Sequence, residues 1–279
     1  MTESSGLAAS TLSSPRERIW QDPVIAHIHV PKCAGTSFRN MLIGHFGPAH
    51  LALYADDTFF VYSEQELTRY LADRSIRAFS SHFVRTFPPS IAGRDLVYVT
   101  FLRKPVDQFI SYLTYVRKVF PAIQDPNLLS CLPPDLPSLS LREAAHWILT
   151  REHDVNFREN YTTNFFARFP FRNEYGDSMP EGFYREKRLS IAQRVLEQFF
   201  FVGITEQMDR SISLMQFLAQ EQGLAFPHGK VSIENTSFDG RGDLSWIRED
   251  DEVGALLLAS VEEDNQLYAS AVARLDSYR

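Results

Sequence analysis

Residues 27–37 read HIHVPKCAGTS, the end of an apolar strand followed by a turn of small and hydroxylated residues. A segment with helical character, 38–46, follows at once. This order favours anion binding, because unpaired backbone N–H groups and the positive end of the helix dipole point towards one spot. Lys32 adds a full charge, and Thr36 and Ser37 add hydroxyl donors. The turn therefore predicts a site for a phosphorylated ligand; the alternative is a turn without function, since such residues are common after strands.

The composition is that of a globular protein, with 279 residues, 44% hydrophobic and 23% charged. We predict a disordered N-terminal tail over residues 1–22 and a single domain over 23–279. The net charge of -7 argues against a general nucleic-acid binder. Residues 1–22 lack the apolar core of a secretory signal, and no stretch approaches the ~20 apolar residues that span a bilayer. We therefore expect a cytoplasmic protein with no membrane span, and its oligomeric state stays open.

Apolar strands alternate with helical segments along the chain. The predicted strands cover residues 24–30, 76–80, 95–102 and 200–204. Helices are predicted over 38–46, 64–73, 104–119, 141–151, 161–169, 185–199, 209–222 and 249–275, with loops at 121–137, 171–182 and 229–242. This alternation predicts an α/β fold with a P-loop-like parallel β-sheet flanked by helices, and with helical additions in the C-terminal half.

Polar residues follow three of these strands. Lys32, His82 and Arg103 each come just after a strand end. Ligands of open α/β sheets bind outside the carboxyl ends of the strands, so the three residues predict one crevice. Ser111 lies eight residues after Arg103, about two turns into the next helix, where a hydroxyl and a guanidinium can bind a second phosphate from two sides. Taken alone, the pair is more simply explained as a capping arginine and a surface serine.

The order of residues in the turn excludes two common nucleotide motifs. A Walker loop needs its lysine directly after the last glycine, whereas Lys32 precedes Gly35 by three residues. The dinucleotide pattern G-x-G-x-x-G is also absent. An ATP or GTP hydrolase is therefore disfavoured.

Two motifs together resemble the sulfotransferase superfamily. HIHVPKCAGTS is similar to the first loop of its carbohydrate (heparan-type) branch, H-x-P-K-x-x-G-T-S, and VTFLRKPVDQFISY at 99–112 is similar to its second motif. Weaker similarities lie at NYTT, 160–163, and at FVGITE, 201–206, followed by DRS at 209–211. The likeness covers about residues 24–240, and the chain departs from the commoner Thr-Gly at Cys33 and Ala34.

The resemblance implies a donor, 3′-phosphoadenylyl sulfate (PAPS), with two separate phosphate groups, and no metal. It implies that the 5′-phosphosulfate is held by the first loop: Lys32, Cys33, Ala34, Gly35, Thr36 and Ser37. It assigns the 3′-phosphate to Arg103 and Ser111. The loop 230–241 is expected to close over the nucleotide, with Arg241 a further candidate for the 3′-phosphate. The product would be 3′,5′-bisphosphoadenosine (PAP).

Transfer of a sulfuryl group to an alcohol needs a base and charge neutralisation. Histidine is the natural base near neutral pH, and His82 occupies the position of the catalytic histidine in the carbohydrate branch. Lys32 would neutralise the charge that develops on the leaving phosphate oxygen. His228 is a distant second candidate, and Glu64 or Asp107 would have to serve if His82 does not.

The remaining histidines and cysteines have structural interpretations. His27 and His29 alternate in the first strand and so share a face, where packing is favoured; His146 and His153 have no special context. The chain has two cysteines, Cys33 and Cys131, too few for a disulfide framework. Cys33 is either a reactive thiol at a helix N-terminus or a small residue tolerated in a tight turn.

Two other functions compete with a sulfotransferase. One is a P-loop-like small-molecule kinase, and the other is a non-catalytic nucleotide-binding protein, which a His82 that is buried and remote from Lys32 would favour. The acceptor, a carbohydrate or another small molecule, is expected to be bound by aromatic-rich loops at 48–63, 120–140 and 165–185.

Overall fold

A mostly parallel sheet forms the centre of the protein. The structure is a computed structural model that describes residues 19–54, 61–123, 132–151, 159–229 and 243–278. Its strands are β1 (Val24–Ile28), β2 (His50–Leu53), β3 (Ala78–Ser81), β4 (Ser90–Ile91), β5 (Arg94–Leu102) and β6 (Phe201–Ile204).

The strand order places β1 in the middle of the sheet. β1 pairs in parallel with β3 on one side and with β5 on the other. β2 extends the sheet beyond β3, and β6 extends it beyond β5, again in parallel. The short β4 alone runs antiparallel, against the start of β5. The predicted α/β class with a parallel sheet is therefore confirmed, and the carboxyl ends of five strands meet at one edge.

Helices connect and cover the strands. The described helices are α1 (Gly35–Phe46), α2 (Glu64–Leu71), α3 (Pro105–Val119), α4 (Leu141–Thr150), α5 (Tyr161–Tyr175), α6 (Glu181–Glu197), α7 (Met208–Glu221), α8 (Glu252–Ser260) and α9 (Glu262–Ser277). None of them is both long enough and apolar enough to span a bilayer.

Local sequence signals explain where several of these elements begin. Every residue of β1 and of β5 is buried, in keeping with their nearly continuous apolar sequences. Ser63 and Ser140 each form a capping box at the start of α2 and α4. Pro105 occupies the first turn of α3, where its missing N–H costs nothing.

Three regions differ most from the prediction. α5 continues to Tyr175, into the predicted loop at 171–182, although Pro170 lies inside the helix. The buried side chains of Phe165, Phe166 and Phe171 hold that helix together, so packing overrides the missing hydrogen bond of the proline. The region 165–185, expected to be an acceptor loop, is consequently helical over most of its length.

The other two errors concern the C-terminal helix and the segment at 48–63. The helix predicted over 249–275 is two helices, α8 and α9, that meet at Val261. Residues 50–53, predicted to lie in an acceptor loop, form the edge strand β2. The pattern HLAL is too short to predict a strand by itself, and only pairing with β3 makes it one.

Hydrophobic side chains form two clusters. The larger one surrounds the sheet and includes α1, α2, α5, α6 and α7. The second lies between α3, α4 and α8, where Leu113, Ile148 and Leu257 are fully buried. Of these helices, α4 and α8 lie in the C-terminal half, where helical additions were predicted, and α3 joins the cluster to the end of β5.

The chain is anchored to the sheet just before β1. Asp22 forms ion pairs with Arg74, Arg77 and Arg94, and the Arg94 side chain is fully buried. Trp20 donates a hydrogen bond to Gln222 at the end of α7. Residues 1–18 of the predicted tail lie outside the described residues.

Candidate functional site

The ends of the three central strands bring the predicted residues together. The loop that follows β1 contains Lys32, and it lies between the end of β3, followed by His82, and the end of β5, followed by Arg103. Both neighbours contact this loop. His82 Nδ1 donates a hydrogen bond to the backbone oxygen of His29 at 2.6 Å, and Arg103 Nη1 donates one to the backbone oxygen of Lys32 at 3.2 Å.

The loop, residues 29–34, has an unusual backbone. Lys32 and Ala34 both adopt left-handed conformations, with φ angles of 66° and 59°. Non-glycine residues rarely do so, and the conformation persists only where the surroundings enforce it. We use the name anion loop for residues 29–37, which comprise this loop and the first turn of α1. The chain turns sharply twice and enters α1 at Gly35, three residues earlier than predicted.

This early helix start changes the roles of Thr36 and Ser37. Both lie in the first turn of α1 rather than in the turn before it. The Ser37 N–H donates a hydrogen bond to the Ala34 oxygen at 3.1 Å, and the Ser37 side chain is buried. Thr36 is partly exposed, so its N–H and hydroxyl are better placed for a ligand at the helix N-terminus.

Gly35 is required by the ring of His29. A Cβ built on Gly35 would collide with three atoms of the His29 imidazole. His29 is itself buried and hydrogen-bonds through Nδ1 to the hydroxyl of Tyr54 at 2.9 Å. The predicted packing role of His29 thus has a specific consequence. Because its ring occupies the space beside residue 35, the start of α1 can lie this close to the end of β1 only if residue 35 is glycine.

Lys32 is the partly buried cation of the anion loop. Its Nζ lies 4.2 Å from the centre of the Tyr115 ring on α3, a favourable cation–π contact. Burial and the neighbouring charge of Arg103 lower the pKa of Lys32 to about 8. Two cations held this close repel each other, and an anion bound beside them would relieve that repulsion.

Cys33 is inert. Its side chain is buried, and burial raises the pKa of its thiol above the ordinary value. The reactive-thiol hypothesis therefore loses support, because the thiolate is the nucleophilic form. The small-residue interpretation fits, since Cys33 packs into the core beneath the turn.

His82 has the hydrogen-bond pattern of a base. Its Nδ1–H is used by the His29 carbonyl, so the lone pair of the neutral ring lies on Nε2. Burial is the main cause that lowers the pKa of His82 to about 4; the hydrogen bond to His29 opposes it, and the charges of Arg85, Arg39 and Lys32 add to it. The imidazole is therefore neutral at pH 7, the form that can accept a proton, and its lowered pKa makes it a weaker base than an ordinary histidine.

Aromatic and histidine rings support His82. The ring of His29 lies 4.0 Å from that of His82, and His27 stacks on the other side of His29 at 5.2 Å. The predicted shared face of His27 and His29 is confirmed by this stack. Tyr54 meets His82 edge-on at 5.0 Å. His27 is held in turn by Ser80, its partner across the β1–β3 pair.

The structure gives less support for a ligand contact at Ser111 and Arg241 than at the other predicted residues. Ser111 lies on α3 and is only 5% exposed, so a phosphate would have to reach it at the helix surface. Arg241 and the loop 230–241 lie outside the described residues. The role of both in holding the 3′-phosphate stays a prediction.

The alternative bases are less well placed. Glu64 is exposed in the first turn of α2. Asp107 lies on α3 near Tyr268, whose pKa it helps to raise. His228 is exposed after α7, and His146 is exposed on α4, while His153 lies outside the described ranges. Within those ranges no three His, Cys, Asp or Glu side chains are grouped to hold a metal ion.

Sequence reasoning missed four residues around the loop. Tyr54, Arg39 and Arg85 surround His29 and His82, and Gln108 donates a hydrogen bond to the Pro31 oxygen at 2.9 Å. Tyr54 follows the unpredicted strand β2, so it was one more strand-end residue. Gln108 could have been suspected from its place one turn into α3, within the second motif.

No protein-family model matches the chain, and no curated protein matches it either. The resemblance to the sulfotransferase superfamily therefore rests on the sequence motifs alone.

Proposed function

We propose that this protein is a PAPS-dependent sulfotransferase that moves a sulfuryl group to a hydroxyl of a carbohydrate or small-molecule acceptor. The observation that carries the proposal is the position of the anion loop between two strand ends. One end supplies a neutral histidine, and the other supplies a second cation. A base on one side and positive charge on the other suit an in-line transfer between a hydroxyl and a phosphosulfate.

The proposed step conserves atoms and charge. His82 Nε2 accepts the proton of the acceptor hydroxyl, whose oxygen forms a bond to the sulfur of the donor. The bond between that sulfur and the bridging phosphate oxygen breaks, and the electron pair stays on the phosphate. Lys32 stabilises the negative charge that develops there, since its ammonium group is held at the anion loop.

The residues of the loop fit an anionic donor. Lys32 lies close enough to Arg103 for the guanidinium charge to lower its pKa, an arrangement that an anion stabilises. The first-turn N–H groups of α1 add donors at the same place. Arg103, together with Ser111, would hold the 3′-phosphate.

A non-catalytic protein would not need a base near the loop. His82 contacts the loop that contains Lys32 directly, through its hydrogen bond to the His29 oxygen at 2.6 Å. This proximity favours an enzyme over a nucleotide-binding scaffold.

Thermal unfolding with different nucleotides tests the proposal. PAP is expected to stabilise the protein by about 2.7 kcal/mol at 100 times its Kd. ATP with magnesium is the ligand that a small-molecule kinase would bind. Stabilisation by ATP-magnesium alone would refute the sulfotransferase and support the kinase.

Three variants then separate binding from chemistry. Lys32→Ala and Arg103→Ala are expected to weaken PAP binding strongly, whereas His82→Ala should bind PAP normally and transfer no sulfuryl group. Residues of the same types elsewhere on the surface provide matched controls: the partly exposed Lys187→Ala and the exposed Arg172→Ala and His146→Ala. Transfer is measured with labelled PAPS against a panel of hydroxyl acceptors, which also identifies the acceptor. Full transfer by His82→Ala would remove that residue from the mechanism.

A further inference from the structure

Gln108 joins the anion loop to the C-terminal half of the protein. Its side chain is 2% exposed and uses both ends of its amide. Nε2 donates a hydrogen bond to the Pro31 oxygen at 2.9 Å, and Oε1 accepts one from the Thr162 hydroxyl at 2.9 Å. The proposed chemistry uses neither Gln108 nor Thr162, so their hydrogen bonds need another explanation.

The bond to Pro31 acts directly on Lys32. The carbonyl of Pro31 and the nitrogen of Lys32 belong to one peptide plane, so holding that carbonyl fixes the plane on the N-terminal side of Lys32. Arg103 holds the carbonyl of Lys32, which belongs to the next plane. The two bonds thus hold the peptide planes on either side of Lys32, whose left-handed conformation must be enforced by its surroundings.

Thr162 is itself rigidly placed. Its N–H and that of Thr163 donate hydrogen bonds to the two carboxylate oxygens of Asp264, at 3.1 and 2.7 Å. In return, the side-chain oxygen of Asn160 accepts hydrogen bonds from the N–H groups of Glu263 and Asp264, at 2.9 and 3.1 Å. The starts of α5 and α9 thus cap each other, and this buried pair of helix ends orients the Thr162 hydroxyl.

We propose that Gln108 is a positioning residue that holds Lys32 of the anion loop in its ligand-binding conformation, with its amide oriented by Thr162. The proposal rests on the proposed function for its ligand, because the anion is taken to be PAPS or PAP. Glutamine suits the position because it offers a donor at one end and an acceptor at the other.

Substitutions at position 108 give distinct expectations. Gln108→Leu keeps the volume but removes both hydrogen bonds, and we expect the Kd for PAP to rise about tenfold. Gln108→Glu can still accept from Thr162, but it donates to Pro31 only when it is protonated. The ratio of the PAP Kd of Gln108→Glu to that of the unmodified protein, measured at the same pH, should therefore approach one as the pH falls.

Position 162 tests the other end of the amide. Thr162→Val removes the hydroxyl at nearly constant volume and should weaken PAP binding in the same direction as Gln108→Leu. Thr162→Ser restores the hydroxyl and should restore binding. If Thr162 acted only through packing, Thr162→Val would bind PAP normally, and Thr162→Ser, which loses the methyl group, would bind it more weakly.

The experiment measures PAP binding by calorimetry for the full chain, with Gln193→Leu as the matched control. Gln193 makes its hydrogen bond to Ser270 at the exposed surface between α6 and α9. Amide hydrogen exchange at Cys33, whose N–H closes the loop onto the Val30 oxygen, reports the loop without any ligand. Exchange at Cys33 should be about tenfold faster in Gln108→Leu than in Gln193→Leu.

The outcomes separate this inference from the proposed function. If the unmodified protein does not bind PAP but Gln108→Leu still speeds exchange at Cys33, the ligand assignment fails and the positioning role stands. If Gln108→Leu leaves both the PAP Kd and the exchange at Cys33 within twofold of the control, Gln108 does not position the loop. A Kd ratio for Gln108→Glu that does not change with pH would also overturn the proposal.

Discussion

The two groups that we assign to chemistry are expected to confine activity to a window between about pH 4 and about pH 8. His82 must be neutral to accept a proton, and the pKa of His82 is lowered to about 4. Lys32 must be charged to bind the donor and stabilise the leaving group, and the pKa of Lys32 is lowered to about 8. The rate should therefore rise through the first value and fall through the second.

Burial and neighbouring positive charges lower the pKa values of both Lys32 and His82. Lys32 moves from 10.5 to about 8, and His82 moves from 6.5 to about 4. Each shift corresponds to about 3 kcal/mol of preference for the neutral form. At pH 5.5 an imidazole with the lowered pKa is neutral by about 30 to 1, whereas an ordinary one would be mostly protonated.

Two titrations measure these values without a known acceptor. The Kd for PAP is measured between pH 7 and 10 and should rise about tenfold per pH unit above pH 8, because Lys32 loses its charge there. The charge of PAP does not change in this range, since its phosphates are already fully ionised. Lys32→Arg keeps its charge in this range, so its Kd should stay constant. The imidazole signal of His82, assigned by its loss in His82→Gln, should titrate near pH 4 in NMR spectra, and Arg85→Met should raise that pKa.

Unfolding in acid must be separated from titration of the site. His50 and His82 both have a pKa lowered to about 4, so the unfolded chain binds protons at a higher pH than the folded chain does. Stability is therefore lost as the pH falls from 6.5 towards 4, by up to about 3 kcal/mol for the largely buried His82 and by less for the half-buried His50, whose charge is screened by water. Circular dichroism at each pH shows whether the protein is still folded.

Specific results would refute the reasoning. A PAP Kd that is constant to pH 10 would show that Lys32 is not the titrating cation. The same loss of affinity in Lys32→Arg would assign it to another group. A His82 signal that titrates near 6.5 in the folded protein would mean that the ring is not held neutral by its surroundings.

Two further substitutions test the close packing and the anchoring of the chain. Gly35→Ala should abolish PAP binding, because the new Cβ collides with the His29 ring; Gly44→Ala, on the same helix with nothing within 4 Å, should bind normally in the same calorimetric assay. Asp22→Asn should lower the free energy of unfolding by about 2–3 kcal/mol in urea, because the fully buried Arg94 loses its ion pair. A loss below about 0.5 kcal/mol would show that the backbone carbonyls around Arg94 are enough to stabilise its charge.

The sequence predicted the sheet well because its strands have strong local signals. The run DLVYVTFL is apolar along almost its whole length, and it forms the fully buried β5. β2 was missed because HLAL has no such signal and depends on pairing with β3. Likewise α5 passes through Pro170 because aromatic packing, which no local rule contains, offsets the cost of the proline.

The break between α8 and α9 has a long-range cause. Asn160, about a hundred residues earlier in the chain, accepts hydrogen bonds from the N–H groups of Glu263 and Asp264 and so starts a new helix there. The local sequence from 249 to 275 remains compatible with one helix. A pattern-based prediction cannot include a cap that comes from another part of the chain.

The sequence by itself determined the α/β class, the strand–turn–helix unit of the anion loop, and the identity of Lys32, His82 and Arg103 as strand-end residues. Such features depend on neighbours a few residues apart, where periodicity and turn chemistry act. Only the tertiary structure decided that β1 lies between β3 and β5, that His29 excludes a side chain at Gly35, and that Gln108 holds the loop. These depend on contacts between distant segments, and burial in that assembly is also what lowers the pKa values of Lys32 and His82.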